Sequence, residues 1–434
     1  MKPLTHPDHF REALPFLGRL MLYPHERNLW EDDNRLLPWP LRRRRRMYRD
    51  FAVSRLGPLA LGADRDPHSV DKAALFRDYA LRGFATELLP WPVGSYPLLF
   101  MPWWGLHMAL KAEEFCAVDG GLGLMLLAHD LGFAPIALSG SVQAVLDFGR
   151  PIYRRLKREG TGIMSFAITE PGAGSDVEET EGAARAKLVT RARPAPGGYL
   201  LNGRKVFITD GAIAQYVTVF ACLGDGGAES WTCFLVERGM KGFSTGRQER
   251  KMGQRAGDAT ELIFEDVFVP ERNRIGAERA GWAMNRGVLN ASRPAVGAIA
   301  LGIGRGAFDR CLEFCRATRL AGKALVEYQE VQIELAAMLV KLSAARALCW
   351  QSISHGMRPM PAASAGAKVF CSDTAVEVCA RAMELMGDHG FLHGQGVEKA
   401  LRDARLTQIY EGSNQINLLG IVEDFWEGDF KPRA

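Results

Sequence analysis

Glu411 is the side chain in this 434-residue sequence best placed to take a proton. It follows Ile409 and Tyr410, precedes Gly412, and lies just ahead of Ser413 and Gln415 at the start of a helical segment. A carboxylate set against apolar walls loses solvation, so its pKa rises and it becomes a general base suited to a weakly acidic C–H. A plain first-turn glutamate, favoured by the helix dipole, has the same spacing. Two other segments could hold a flat ligand with a polar edge. In FAITEPGAGSD (166–176) a strand-like run ends at Thr169 and a Gly-rich turn follows, whose amides could cradle a carbonyl edge or a phosphate. In KVFITDG (205–211) Phe207 and Thr209 alternate onto one strand face, an aromatic surface beside a hydroxyl. Each segment taken singly also reads as an ordinary tight loop or hairpin strand.

Other chemistries lack carriers. His389 and His393 are spaced i,i+4 near Glu384 and Asp388, but Gly387, Gly390, Gly394 and Gly396 speak against a ligand helix. No third ligand has a sensible spacing, so no metal is expected. There is no GxSxG elbow, no P-loop and no GxGxxG strand–turn–helix. Eight cysteines without a CxxC pair, set mostly among apolar neighbours, read as reduced core residues of a cytoplasmic protein. The net charge of +4 owes five positive charges to Arg42–Arg46; the remainder is −1, too balanced for a nucleic-acid footprint. The pentad reads as a solvated or salt-bridged face. The first residues lack a cationic tip followed by an apolar core. The most apolar stretch, GLGLMLLAHDLGFAPIAL, is interrupted by His129 and Asp130, so no stable membrane insertion is expected.

The elements that must position these residues fall into three zones of an α+β chain. Residues 1–162 read as a helical domain with candidate helices at 43–56, 70–88, 106–118 and 122–148. Pro- and Trp-rich 85–105 breaks it, and Trp91, Trp103 and Trp104 there suit either a pocket or a core. Residues 163–278 carry short alternating runs (IMSFAIT, ARAKLVTRA, GYLLNGRKVFIT, YVTVFACL, WTCFLVER, TELIFEDVFVP), the pattern of an antiparallel β-domain. Residues 279–434 return to helical periodicity at 282–317, 325–356, 364–386 and 413–426, with SHGMRPMP as a turn, which predicts an antiparallel bundle.

FAITEPGAGSD, LNGRKVFITDG, KMGQRAGDATELIFEDVFVP, NASRPAVGAIALGIGRGAFDRC and AMELMGDHGFLHGQGVEKALRDARLTQIYEGSNQI, in that order over about 163–426, resemble the acyl-CoA dehydrogenases. These are flavoproteins that introduce a trans-2,3 double bond into acyl-CoA thioesters. The resemblance implies an N-terminal helical domain, a middle antiparallel, barrel-like β-domain and a C-terminal four-helix bundle. It also implies non-covalent FAD, an acyl-CoA substrate, an electron-transfer flavoprotein as acceptor, and a homo-oligomer, usually a tetramer built as a dimer of dimers. It makes Glu411 the α-proton base and Arg293 the residue tuning its charge. Phe166, Ile168 and Thr169 would line the flavin's pyrimidine side, Ser175 its pyrophosphate, and Phe207 and Thr209 its ring system. Gly387, Gly412, Ser413 and Gln415 would also touch FAD. Arg319 would hold the FAD of a partner subunit, although the family's Arg-x-x-Phe-Gly-Lys is here the shorter Arg319-Leu-Ala-Gly-Lys323. In the family's Gln-x-x-Gly-Gly-x-Gly, Glu384 and Asp388 stand for the Gln and second Gly, so either the loop turns away or cations such as Arg381 compensate. Oxidases and monooxygenases on the same scaffold are the alternative. Members that act on nitroalkanes use Asp as base, and monooxygenase relatives lack a carboxylate there. The 85–105 region departs from the common pattern, which suits a bulky or cyclic acyl group as well as a plain fatty chain.

Overall fold

The structure, a computed structural model, describes residues 15, 16, 30, 37–354 and 360–430. The chain divides into residues 1–47 and 48–434. In the first unit Arg45 donates to the Trp30 carbonyl at 2.9 Å. Arg42, Arg43 and Arg46 are exposed on helix α1 (Trp39–Phe51), which crosses the division.

In the second unit, the next long helices are α2 (Lys72–Leu81), α3 (Trp104–Val118), α4 (Gly120–Leu138) and α5 (Arg150–Glu159). Their ends follow local chemistry. Asp71 and Asp119 cap α2 and α4 by accepting from the Ala74 and Leu122 amides at 2.9 and 2.7 Å. The expected helix 70–88 stops early because the chain turns through Gly83 at φ 82°. The expected helix 122–148 is likewise cut at Leu138, before Gly140 at φ 67°, and α5 follows as an element the sequence reading did not separate.

By length and composition α4 could cross a membrane, the one such helix among the described residues. Here it is a core element, with Leu122, Met125, Leu126, Phe133 and Ile136 buried. Its polar residues are bonded: Asp130 accepts from Lys111 at 2.9 Å, and His129 Nδ1 accepts from the Met164 amide at 3.1 Å. Burial drives the His129 pKa down to about 4, so the imidazole stays neutral and can accept that bond. The helix comes so close to the sheet at Gly132 that a Cβ there would lie 2.7 Å from the Met164 carbonyl carbon.

The sheet comprises β1 (Met164–Ala167), β2 (Arg191–Ala195), β3 (Gly198–Ile208), β4 (Tyr216–Leu223), β5 (Trp231–Glu237), β6 (Phe243–Gln248), β7 (Thr260–Pro270) and β8 (Arg274–Ile275). Its order is β6-β7-β3-β2-β4-β5-β8, with β1 on β4. Pairing is mostly antiparallel, but β1 and β2 each run parallel to β4, unlike the uniformly antiparallel pattern expected. The reason is topological: between β2 and β4 the chain makes the β3 return, so it re-enters beside β2 in the same sense. Strand β6 carries mostly exposed polar residues and β8 is two residues long, so neither offered an apolar alternation to read.

Beyond the sheet lie α6 (Gly281–Ala317), a small hairpin of β9 (Arg319–Leu320) and β10 (Lys323–Ala324), α7 (Gln329–Ile353), α8 (Pro361–Leu385), α9 (Val397–Thr407) and α10 (Asn414–Phe430). Most of the expected SHGMRPMP turn, 355–359, lies outside the described residues. Helix α6, 37 residues and so roughly 55 Å long, packs on α3, α4, α7, α8 and α9. All eight cysteines are free and buried.

One buried group works against stability. Asp210, at φ 59° just past β3, is fully buried and neither carboxyl oxygen has a hydrogen-bond partner. Burial and the facing Asp258 hold its pKa well above the usual range, only partly offset by Lys72 and Lys251. An acid whose folded pKa is raised costs nothing below its unfolded value and increasingly more as pH climbs towards the folded one. Asp210→Asn is therefore expected to stabilise the protein by about 1–3 kcal/mol at pH 8 and to lose that advantage near pH 4, read by thermal unfolding at both pH values. Equal effects at the two would contradict the burial of a protonated carboxyl.

Candidate active site

The turn between α9 and α10 is built around two successive left-handed residues, Glu411 at φ 52° and Gly412 at φ 83°. Ser413 is the N-cap of α10, its Oγ accepting from the Ile416 amide at 3.3 Å. Glu411 therefore stands two residues before the cap rather than in the first helical turn. Its neighbour Ile409 is 51% exposed, so of the apolar pair ahead of it only Tyr410 is turned inward to share in the expected desolvation. The rest comes from packed helices. Ser292 on α6 donates to Glu411 Oε2. Lys368 on α8, fully buried, donates to the Gly412 carbonyl and to Asn414 Oδ1, both at 2.8 Å. Asn417 Nδ2 also donates to the Gly412 carbonyl at 2.8 Å.

A second carboxylate, Glu178, closes the group. It ends the single turn Ser175–Glu178 and accepts from Arg293 at 3.1 Å, with both side chains buried. A Cβ on Gly412 would lie 2.2 Å from Glu178 Oε2. Glu411, Glu178, Arg293 and Lys368 thus form a cluster of two acids and two bases. Burial raises the Glu411 pKa, against the Ser292 hydrogen bond and the Arg293 and Lys368 charges. Burial, opposed by Arg293 and reinforced by Glu411, pushes Glu178 up to about 7, and burial lowers Lys368 to about 8. Neither Glu178 nor Lys368 was singled out from the sequence. Only the packing of α8 and the Ser175–Glu178 turn onto the α9–α10 turn assigns them here.

Across from this turn lies the rim of the sheet. Ser175 Oγ accepts from the Ser413 amide at 3.1 Å, which leaves the Ser175 proton for an external acceptor. The ends of β1 and β3 are laced together. Lys205 Nζ donates to the Ile168 carbonyl at 2.8 Å, the Val206 amide to the Thr169 carbonyl at 2.9 Å, and Ser165 Oγ to the Thr209 carbonyl at 2.8 Å. Phe166, Ile168, Thr169, Phe207 and Thr209 therefore share one edge. Phe207 does not simply alternate with Thr209. It sits at a register shift between Lys205 and Ile208, at φ 59°, with its ring 59% exposed. A non-glycine residue held left-handed to display an aromatic ring beside threonines is what a flat, polar-edged ring needs.

Two of the expected contacts lie away from this turn, and a third, Gln415, stays two residues past Ser413. Gln415 is exposed on the first turn of α10. Arg319 is exposed on the β9–β10 hairpin, where its Nη1 donates to the Gly322 carbonyl at 3.2 Å. Gly387 begins a turn whose His389 ring lies tilted against Phe314, close to the C-terminal end of α6. Arg319 is about 40 Å along the α6 direction from Ser292, so neither it nor the Gly387 turn joins this chain's own Glu411 cluster. Near Gly387 the two substituted acids are paired, Glu384 with Arg381 at 2.6 Å and Asp388 with His389 at 2.8 Å. The compensation expected from Arg381 is present. His393 meets Asp64 at 3.6 Å and Glu398 at 3.0 Å, carboxylates that sequence spacing did not supply. The guanidinium of Arg402 already bridges both acids at 2.7 Å, so a cation's place there is held by the protein itself.

Residues 165–267 match the family described as acyl-CoA dehydrogenase, middle domain, and 279–425 the one described as acyl-CoA dehydrogenase, C-terminal domain. The chain is 35% identical over 376 residues to the cyclohex-1-ene-1-carbonyl-CoA dehydrogenase of Syntrophus aciditrophicus, covering 85% of this chain and 86% of that protein. The structure of butyryl-CoA dehydrogenase from Megasphaera elsdenii superposes with a TM-score of 0.80 at 29% identity, over 89% of this chain and 97% of that one. The FAD complex of PigA gives a TM-score of 0.78 at 25% identity, over 89% and 97%.

Proposed function

We propose that this chain, which belongs to the acyl-CoA dehydrogenase family, removes an α-proton and a β-hydride from an acyl-CoA thioester to give the trans-2-enoyl-CoA. The observation that carries the reading is the Glu411 carboxyl, held by Ser292 inside a charge-balanced cluster that faces the sheet rim. The residues fit FAD: an exposed aromatic and threonine edge for a ring system, and Ser175 with a proton to give to a phosphate. Phe166, Ile168, Thr169, Phe207, Thr209, Ser175, Gly412 and Ser413 would hold it. When bound, FAD supplies the acceptor for the β-hydride.

The chain's own residues do the rest. Glu411 takes the α-proton at its carboxylate, and Ser292 fixes the rotamer by donating to Oε2. Lys368 and Asn417 clamp the Gly412 carbonyl, so the Glu411 amide projects from a rigid left-handed turn. Among the described residues that amide enters no intrachain hydrogen bond. It suits a thioester carbonyl oxygen on which negative charge grows as the proton leaves. Arg293 and Lys368 keep the pocket from becoming anionic.

Arg319 and the Gly387 turn, remote from this cluster, suit contacts with the FAD of a partner subunit in a dimer-based tetramer. An electron-transfer flavoprotein in the cytoplasm would then reoxidise the enzyme. For domain limits we place 1–162, 163–278 and 279–434. The acyl group is open between a straight chain and a ring, and the cyclohexene-carbonyl relative adds weight to the ring. Anaerobic mixing with straight-chain and alicyclic acyl-CoA thioesters tests the assignment. At least one is expected to bleach the flavin and yield its 2,3-unsaturated thioester. Rapid stoichiometric peroxide in air would make the protein an oxidase instead.

A further inference from the structure

The cluster contains one more ionisable group than proton abstraction by Glu411 requires. Glu178 is buried, and it forms an ion pair with Arg293 at 3.1 Å. It reaches the cluster from the sheet side, while the other three groups come from the helices. Arg293 is on α6, Lys368 on α8, and Glu411 in the turn before α10. Further out, Asp373 acts on Lys368, and Asp424 and Arg286 face each other near Arg293. The contact between Glu178 Oε2 and Gly412 sets the acid against the backbone of the residue next to the base.

We propose that Glu178 is a positioning residue for the proton transfer, which pairs with Arg293 so that Glu411 faces one unmatched cation, Lys368, instead of two. The inference rests on the reading of Glu411 as base. With both acids ionised the four groups sum to zero. With Glu178 neutral, Arg293 and Lys368 confront Glu411 alone, stabilise its carboxylate and make it a weaker base. A falling pH does the same as a mutation. Glu178 takes up a proton as pH drops through about 7, because burial and the Glu411 charge outweigh Arg293. The enzyme would therefore slow on the acid side of that point.

The test is stopped-flow flavin reduction by a saturating acyl-CoA across this pH range, for the parental FAD-loaded enzyme and the Glu178→Gln and Glu178→Asp variants. The parental rate should step down as pH falls through about 7. Glu178→Gln should lack the step and run about tenfold slower on the alkaline side, with acyl-CoA affinity and FAD content unchanged. Glu178→Asp should restore the step at a displaced pH. A Glu178→Gln profile identical to the parental one would overturn the proposal. So would loss of FAD or acyl-CoA affinity in proportion to rate, the mark of a merely structural role. If Glu178→Gln does not fold, an unmoved profile in Glu178→Asp overturns it equally. Failure of the base assignment looks different: Glu411→Gln would then bleach at the parental rate whatever Glu178 does.

Discussion

Replacing Glu411 with Gln is expected to slow flavin reduction by at least about 10²-fold, the scale of a lost general base, while FAD content and acyl-CoA affinity survive. The amide side chain matches the carboxylate in size and can still accept from Ser292, and the backbone that would hold the thioester carbonyl is untouched. Only the proton acceptor is gone. The region of α6 facing the turn offers no replacement, since Asn290, Ala291 and Ser292 carry no carboxylate. Glu178 is buried against Gly412 and tied to Arg293, which leaves it poorly placed to substitute. A fully FAD-loaded Glu411→Gln enzyme that bleaches at the parental rate would place the base elsewhere.

A single methyl group at the next residue is expected to be nearly as damaging. In Gly412→Ala the new Cβ would lie 2.2 Å from Glu178 Oε2 and 2.9 Å from Asn417 Nδ2, at φ 83°, which alanine adopts only with strain of about 1 kcal/mol. Glu178 cannot simply swing away, because Arg293 holds it. The turn must yield, and displacement of Glu411 by about 1 Å costs on the order of 10²-fold in rate. Adding Glu178→Ala should recover part of that loss, since the 2.2 Å clash disappears while the Asn417 contact, the backbone strain and the cost of losing the Glu178 carboxylate stay. Parental kinetics in Gly412→Ala would show that the turn relaxes without moving the base, and would count against rigid placement of Glu411.

How much of this could be read from the chain depends on how local each determinant is. Glu411, Gly412, Ser413 and Ser175 sit in short strings whose residue types carry their own signal, and the helical–β–helical order follows from period changes along the sequence. What escaped was decided by distance in sequence. Lys368 and Glu178 join the cluster across 44 and 115 positions from their hydrogen-bond partners Gly412 and Arg293. The sequence sets Glu411 against Ile409 and Tyr410, yet Ile409 is exposed and packed helices supply what it does not. Phe207 was legible as an aromatic on a strand, but its left-handed bulge depends on a register shift against β7 that no single strand reveals. Strand β6 was missed because an exposed edge needs no apolar pattern.

The length of α6 has a consequence for how the protein is made. Helices α3 and α4 bury apolar faces against it, yet they leave the ribosome about 180 residues before α6 is complete, some 10–40 s at ordinary synthesis rates. Throughout that interval α4, the most apolar helix described in the chain, lacks the part of its cover that α6 supplies. The nascent helical domain thus behaves as a client awaiting its last support, and a chaperone that shields apolar helices should be found on chains stalled before Ala317 and released from those that extend beyond it.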